Sequence, residues 1–284
     1  MSSETPSETP SETPSINPSV CLYTILFTVK GKLPAENQYL QMFTLWLSHL
    51  LRANVLDHKD ALNVYIDTES FQYLQKSLSF ESLCISFPFK LNFALLQPPS
   101  TLYEGCTWKY MFDTRLYTQT VLLYCDIDIY ICSSLGAFCK SMKENTIYVH
   151  PEGPINDPNY GAHFSKEELT VISQAPGFSA GKFAIHGKQL AEEFFKTMRS
   201  CIAKHVPENH YYTLEQPLFN YTIYTTFNHT HINTEYFLEY ISVNLMNYRK
   251  EKTVFLDCMG DPGNGAFHLE KFIHTIALFH VGLL

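Results

Sequence analysis

The amino-acid sequence of this 284-residue chain predicts an α/β domain with a mainly parallel central sheet flanked by helices. Apolar stretches rich in β-branched residues, typical of strands buried on both faces, alternate with stretches whose apolar residues recur at helical spacing. Such alternation implies right-handed crossovers between parallel strands. Hydrophobic residues make up 45% of the chain, enough to build a sizeable core.

The first half of the chain follows this alternation closely. Its predicted strands cover 21–31, 61–67, 83–89 and 120–131, and its predicted helices cover 36–54, 70–78 and 106–119. The second half is less regular. A strand and turn are predicted over 145–153, a covering loop over 154–165, a loop entering a strand over 175–187, a helix over 188–206, and a strand followed by a glycine-rich turn within 252–279.

The N-terminus has a different composition from the rest of the chain. Residues 2–13 are three copies of Ser-Glu-Thr-Pro, which offer nothing to bury and place a proline at every fourth position. Such a segment is typical of disorder. We therefore predict a disordered tail over 1–18 and one folded domain over 19–284.

Charge and apolar patterning exclude several classes of protein. A net charge of −8 argues against a nucleic-acid-binding protein, because that affinity rests on Lys and Arg. No signal peptide and no run of about 18 apolar residues is found, so we expect no transmembrane segment. Eight scattered cysteines without a Cys-x-x-Cys pair indicate reduced thiols and a cytoplasmic protein. The dinucleotide-binding glycine fingerprint, the Walker loop and the Gly-x-Ser-x-Gly elbow are missing from the sequence.

Two carboxylates, Asp126 and Asp128, interrupt the apolar run predicted as the fourth strand. On a strand they would share a face ~7 Å apart, near the end where open α/β sheets bind ligands. Their oxygens suit Mn²⁺ or Mg²⁺, and a divalent ion suits a diphosphate. The alternative is that Asp126 caps a turn while Asp128 pairs with a surface lysine.

Further polar and glycine residues are candidates for the same site. Lys109 precedes the Asp-x-Asp strand and either contacts a diphosphate or is a solvated lysine. Gly177 and Gly181 bracket a loop where the backbone would approach a sugar closely, or are ordinary turn glycines. Glu215 and Gln216 could line a reacting sugar, with Glu215 as a base or charge stabiliser; the alternative is a carboxylate in the first turn of a helix.

Four stretches, in order, resemble nucleotide-sugar glycosyltransferases of the GT-A fold, which is Rossmann-like. The run "TWKYMFDTRLYTQTVLLYCDIDIYICSSL" is similar to their helix and strand ending in Asp-x-Asp. "APGFSAGKFAI" resembles their Phe-Asn-Ala-Gly segment, with Ser179 in place of asparagine. "YTLEQPLFNYTI" resembles their acidic residue and glutamine pair, and "GDPGNGAFHLEK" resembles their C-terminal histidine and lysine segment. Together these stretches cover most of 21–272.

The resemblance implies a function and a set of roles. Such an enzyme, glycogenin-like and dependent on Mn²⁺ (or Mg²⁺), moves a sugar from a nucleotide donor, with a UDP-sugar favoured, to a glycan, protein or small-molecule acceptor. The implied metal ligands are Asp126, Asp128 and His268. The implied donor contacts are Phe27, Thr28, Val29, Asp67, Lys109, Asp126, Gly181 and Lys271, and the implied catalytic residues are Asp126, Asp128, Glu215 and Gln216. Glycogenin-like enzymes usually carry His-x-x-Gly-x-x-Lys where this chain has His268-Leu-Glu-Lys271.

Two other functions stay open at the level of the sequence. "CDIDIYI" also resembles the nucleophile motif of haloacid-dehalogenase-type phosphatases, in which Asp126 would form a phosphoaspartate. In that family the motif normally ends the first strand, whereas about a hundred residues of predicted structure precede it here. The second alternative is a catalytically inactive scaffold with a GT-A-like fold.

Overall fold

A seven-stranded sheet lies at the centre of the computed structural model, which describes residues 18–205, 214–227, 229–234, 254–257, 273–278 and 281. Of the predicted disordered tail over 1–18, only residue 18 is among the described residues. The strands are β1 (Val20–Leu26), β2 (Ala61–Asp67), β3 (Lys90–Leu96), β4 (Val121–Cys125), β5 (Ile129–Ile131), β6 (Thr146–Pro154), β7 (Pro176–His186), β8 (Ile232–Asn233) and β9 (Phe255–Asp257).

The order of strands in the large sheet is β3-β2-β1-β4-β7-β6-β8, and β5 pairs with β9 in a separate two-stranded sheet. Strand β7 is antiparallel to both of its neighbours, and the other pairs in the large sheet are parallel. The prediction of an α/β fold with a mainly parallel sheet is therefore confirmed.

Helices cover both faces of the large sheet. They are α1 (Gln38–Arg52), α2 (Thr68–Gln75), α3 (Leu78–Ser86), α4 (Leu102–Thr107), α5 (Leu135–Phe138), α6 (Pro158–Gly161), α7 (Lys166–Val171), α8 (Lys188–Lys204) and α9 (Gln216–Thr226). A further helical segment covers 273–278. Single 3₁₀ turns occupy Pro34–Glu36, Trp108–Tyr110, Thr114–Leu116, Cys139–Ser141 and His229–His231.

Strand β1 shows why these apolar runs form central strands. Its side chains alternate between two cores, with Leu22 in the core that contains Trp46 of α1 and Tyr23 in the core that contains Phe194 of α8. All seven of its residues are buried. A strand covered on both faces needs apolar residues at every position, and this produces the continuous run in the sequence.

The predicted third strand over 83–89 is wrong over its whole length. Leu83 to Ser86 belong to α3, and β3 begins only at Lys90. Pro88 explains the shift, because the residue before a proline is driven out of the helical region. Phe87 accordingly has extended backbone angles (φ −73°, ψ 134°) and ends α3.

The predicted helix over 106–119 is also wrong. Helix α4 ends at Thr107, and two single 3₁₀ turns follow. The Asp113 carboxylate accepts a hydrogen bond from the Arg115 backbone N–H at 3.0 Å. Local bonds of this kind compete with the helical hydrogen-bond pattern, and here they break the segment into short turns.

Candidate functional site

A cavity of about 930 Å³ opens at the carboxyl ends of β1 and β4. Its walls come from the segment after β1, the start of α1, helix α4, the turn after β4, strand β7 and the start of α9. Ligands of open α/β sheets bind outside the carboxyl ends of the strands. The cavity therefore lies where the sequence predicted a site.

One wall is formed by Phe27, Thr28 and Val29, which follow β1 and are not part of a strand as predicted for 21–31. The Asn37 side chain donates hydrogen bonds to the Phe27 carbonyl (2.8 Å) and to Thr28 Oγ1 (3.0 Å), and so fixes the course of this segment. The Phe27 ring contacts Trp108 edge-on, with ring centroids 5.5 Å apart. A flat aromatic ring is thus presented at this wall.

Asp67, a predicted donor contact, lies fully buried behind the same wall. One carboxylate oxygen accepts from the Thr28 backbone N–H and the other from that of Ser70, both at 2.8 Å. It thereby joins the end of β1 to the first turn of α2. Asp67 therefore helps to fix the shape of the wall. Its direct contact with a donor stays a prediction.

The Asp-x-Asp segment is a turn and is not part of a strand as predicted for 120–131. Strand β4 ends at Cys125, and the Asp126 backbone N–H donates to the Gly181 carbonyl at 2.8 Å. The Ile129 N–H then bonds the Asp126 carbonyl at 3.2 Å. Ile127 is buried, while the two aspartates are half-buried and line the cavity. Neither carboxylate is thus enclosed in a strand interior.

The charges around Asp128 are predominantly negative. Burial raises the pKa of the Asp128 carboxyl well above its ordinary value, and the charges of Asp126 and Asp257 raise it further. Asp257 ends β9 and lies opposite Ile129 in the small sheet. Sequence reasoning missed Asp257, although it ends an apolar strand as Asp67 does; Asp67 was included only because of the family resemblance.

Lys109 is the positive partner of this site. Its ammonium group lies 2.7 Å from Glu215 Oε1 and 3.8 Å from Asp126 Oδ1, and it donates to the Ala180 carbonyl at 3.2 Å. Burial lowers the pKa of Lys109, but the carboxylates of Asp126 and Glu215 outweigh it and raise the pKa above its ordinary value. The side chain is 4% exposed, so the alternative of a solvated lysine is wrong.

Tyr124 contacts both Lys109 and the Asp-x-Asp turn. Its buried hydroxyl donates a hydrogen bond to Asp126 Oδ1, and the Lys109 ammonium lies 4.8 Å from the centre of its ring. The ring also stacks on Phe183, with centroids 5.3 Å apart. The stacked Tyr124 and Phe183 rings thus hold the Asp126 carboxylate and the Lys109 ammonium in position.

Glu215 and Gln216 approach the cavity from the start of α9. Leu214 has φ +51°, a left-handed conformation that is unfavourable for leucine, and it turns the chain into this helix. Glu215 is the N-cap residue, but its side chain bonds Lys109 and makes no capping bond, so the capping alternative is wrong. Gln216 accepts from the Ala180 N–H at 2.9 Å and donates to the Asn159 carbonyl at 3.4 Å.

Both candidate glycines lie within β7, so they do not bracket a loop or occupy a turn as predicted, and they differ in their surroundings. A Cβ at Gly181 would lie 2.9 Å from Asp126 Oδ2, so this glycine allows the carboxylate to lie against β7. A Cβ at Gly177 would lie 2.3 Å from the Tyr160 ring. Gly177 therefore allows Tyr160 to pack against the sheet, and Gly181 is the one that lines the cavity.

The remaining predicted metal and phosphate ligands, His268 and Lys271, lie outside the described residues. Among the residues that the structure describes, no group of three or more His, Cys, Asp or Glu side chains is arranged to hold a metal ion. No described helix is both long and apolar enough to cross a membrane.

Comparison with known proteins finds matches among solved structures only. No protein-family model and no curated protein matches the sequence. Among 263 matching chains of solved structures is the apo structure of the WbbM bifunctional glycosyltransferase, with a TM-score of 0.58 at 13% identity. The match covers 93% of this chain and 50% of that one, so this chain spans about half its length. At this identity the likeness shows the fold alone, which this chain shares with that glycosyltransferase.

Proposed function

We propose that this protein is a metal-dependent glycosyltransferase of the GT-A type. It transfers a sugar from a nucleotide-diphosphate donor, with a UDP-sugar favoured, to a glycan, protein or small-molecule acceptor. The observation that carries the proposal is the convergence of the Asp126 and Asp128 carboxylates and the Lys109–Glu215 ion pair on one cavity with an aromatic wall.

The donor set at the Asp-x-Asp turn suits a divalent ion. Asp126 and Asp128 supply hard oxygen ligands, and the negative charges that raise the pKa of Asp128 would be relieved by a cation. Mg²⁺ is commonly held by one or two carboxylates together with substrate phosphates, so a full protein cage is not needed. When bound, such an ion neutralises charge on the leaving diphosphate.

The transfer reaction can be described together with the roles of the residues that line the cavity. The bond between C1 of the sugar and the β-phosphate oxygen breaks, and its electron pair leaves with the nucleoside diphosphate. An acceptor oxygen forms the new bond to C1, and its proton ends on the leaving diphosphate. Burial raises the pKa of Glu215 above its ordinary value, and the Lys109 ammonium opposes that shift. In its ionised form Glu215 stabilises positive charge on the sugar, while Gln216 and Gly181 shape the wall beside it.

The two alternative functions lack comparable support. Three parallel strands precede β4 in the chain, whereas a phosphatase nucleophile of the haloacid-dehalogenase type would end the first strand. An inactive scaffold would have no use for the ion pair of Lys109 and Glu215, because burying two charges is costly. In a glycosyltransferase the pair would have a function, because Glu215 stabilises positive charge on the sugar.

Calorimetry with nucleotides tests the proposal directly. We expect UDP and UDP-sugars to bind in the presence of Mn²⁺ and to lose most of that affinity when the metal is chelated. Slow metal-dependent hydrolysis of a bound UDP-sugar, followed by chromatography of released UDP, would add support. If no nucleotide in a panel of UDP, GDP, CDP and ADP binds with Mn²⁺, the proposal fails.

Substituting Gly181 with alanine tests the contact between β7 and the Asp-x-Asp turn. The added Cβ would lie 2.9 Å from Asp126 Oδ2, so the carboxylate must move. We expect Mn²⁺-dependent UDP affinity to fall about tenfold or more while the melting temperature changes little, since carboxylate ligands require a defined position. Undiminished UDP affinity would show that the position of Asp126 is unimportant.

Substituting Tyr124 with phenylalanine removes the hydroxyl that bonds Asp126 and keeps the ring beneath Lys109. We expect UDP affinity with Mn²⁺ to fall about threefold to tenfold, the worth of one hydrogen bond. Tyr23→Phe is the matched control, because its buried hydroxyl donates to the Lys109 carbonyl at 3.0 Å. Equal losses of affinity in the two variants would contradict a specific role for Tyr124.

A further inference from the structure

The charges at one end of the cavity bear on the kind of sugar it can accept. We call this part the sugar end and define it by Lys109, Ala180, Glu215 and Asp126. The part of the cavity lined by Phe27, which we call the Phe27 end, is also lined by Glu36 and Lys32. Among the described residues that line the cavity, Lys109 and Lys32 are the basic ones, so Lys109 alone supplies positive charge at the sugar end.

The ammonium group of Lys109 is already committed to the protein. A lysine has three N–H donors. Three protein acceptors surround these donors, with Glu215 Oε1 at 2.7 Å, the Ala180 carbonyl at 3.2 Å and Asp126 Oδ1 at 3.8 Å. Two of these contacts are within hydrogen-bond distance and the third donor faces Asp126 Oδ1 beyond it, so a charged group on a substrate would have to compete with Asp126 for that donor.

The described residues that line the sugar end therefore carry a net negative charge. Glu215 and Asp126 together carry two negative charges against the single positive charge of Lys109. A divalent ion at the Asp-x-Asp turn would be balanced by the diphosphate of the donor itself. A carboxylate on the sugar would lose hydration, meet like charges and find no uncommitted cation among the described residues that line the sugar end.

We propose that the site accepts donors whose sugar is uncharged and rejects donors of uronic acids. This inference rests on the proposed function and names the substrate class of the same site. It separates donors that differ only at C6, where a neutral sugar has a hydroxymethyl group and a uronic acid has a carboxylate.

Calorimetry with two matched donor pairs tests the inference. The pairs are UDP-glucose with UDP-glucuronate and UDP-galactose with UDP-galacturonate, each measured with Mn²⁺ and with UDP as reference. We expect the neutral donor of each pair to bind at least about tenfold more tightly than its uronate, which corresponds to about 1.4 kcal/mol. Two pairs are needed so that a preference at C4 is not mistaken for a preference at C6.

Two variants with the same change of charge locate the effect. Glu215→Gln removes a negative charge at the sugar end and frees a donor of Lys109, so the ratio of affinities should fall severalfold towards one. Glu36→Gln makes the same change at the Phe27 end and should leave the ratio unchanged. Binding is the readout, so loss of turnover in Glu215→Gln does not affect the comparison.

The outcomes separate this inference from the function beneath it. If UDP binds but a uronate donor binds as tightly as its neutral partner, the inference is overturned and the proposed function stands. If Glu36→Gln lowers the ratio as much as Glu215→Gln does, the inference is also overturned, because the discrimination is not made at the sugar end. If UDP itself does not bind, both are overturned. The wild-type ratio decides the matter even if Glu215→Gln does not fold.

Discussion

Substituting Asp128 with asparagine is expected to reduce metal-dependent sugar transfer by on the order of a hundredfold or more. The substitution removes a negatively charged oxygen ligand and keeps the size of the side chain. We expect the Asp128→Asn variant to fold. Burial and the charges of Asp126 and Asp257 raise the pKa of Asp128, so its ionised form is unfavourable in the folded protein. The melting temperature in metal-free buffer should equal or exceed that of the wild type.

Turnover with Mn²⁺ and thermal unfolding with and without the metal check this expectation. The wild type should gain stability from Mn²⁺ and UDP together, and Asp128→Asn should lose that gain. Asp57→Asn is the matched control, because Asp57 is half-exposed in the loop before β2, at the other end of the strands. An Asp128→Asn protein with normal metal-dependent transfer would remove the basis of the proposed function.

Substituting Lys109 with methionine is expected to destabilise the protein by about 3–5 kcal/mol, besides abolishing transfer. Methionine has a similar length but no charge, so Glu215 would be left buried beside Asp126 without its cation. Removing one partner of a buried ion pair costs far more than the pair contributes to stability. Denaturant unfolding measures the change in the free energy of unfolding.

A second substitution and a control sharpen this test. Adding Glu215→Gln to Lys109→Met removes the unpaired charge, so the double variant should be more stable than Lys109→Met alone. Lys188→Met is the control, because Lys188 is an exposed lysine 5.8 Å from the ring centre of Tyr117. We expect it to change stability by about 0.5 kcal/mol or less. If Lys109→Met and Lys188→Met lower the free energy of unfolding by the same amount, Lys109 and Glu215 do not form a buried ion pair.

Several elements could be predicted because their causes are local. The amphipathic pattern of α8 and the continuous apolar run of β1 follow from which faces they bury, and both are found. The break around Pro88 was misplaced, because its effect depends on how the preceding residues fold. They pack as a helix, with Phe80 in the core.

The site could be predicted only in part. The sequence placed Asp126 and Asp128 at the end of a strand, and the cavity lies there. The role of Lys109 could not be read from its neighbours, because its partners Ala180 and Glu215 are distant in the chain. Asp257 was missed for the same reason, since its relation to Asp128 exists only through the pairing of β9 with β5.

Local sequence patterns predicted the alternation of strands and helices and singled out two aspartates in the fourth strand, which the structure places in the turn after β4. Tertiary structure decided which charge meets which. Strand β7 is antiparallel to β4, with Lys182 opposite Cys125, and this brings Gly181 against Asp126 and Ala180 within reach of Lys109. Periodicity reports which faces of an element are buried, whereas contacts between distant segments depend on sheet order and register.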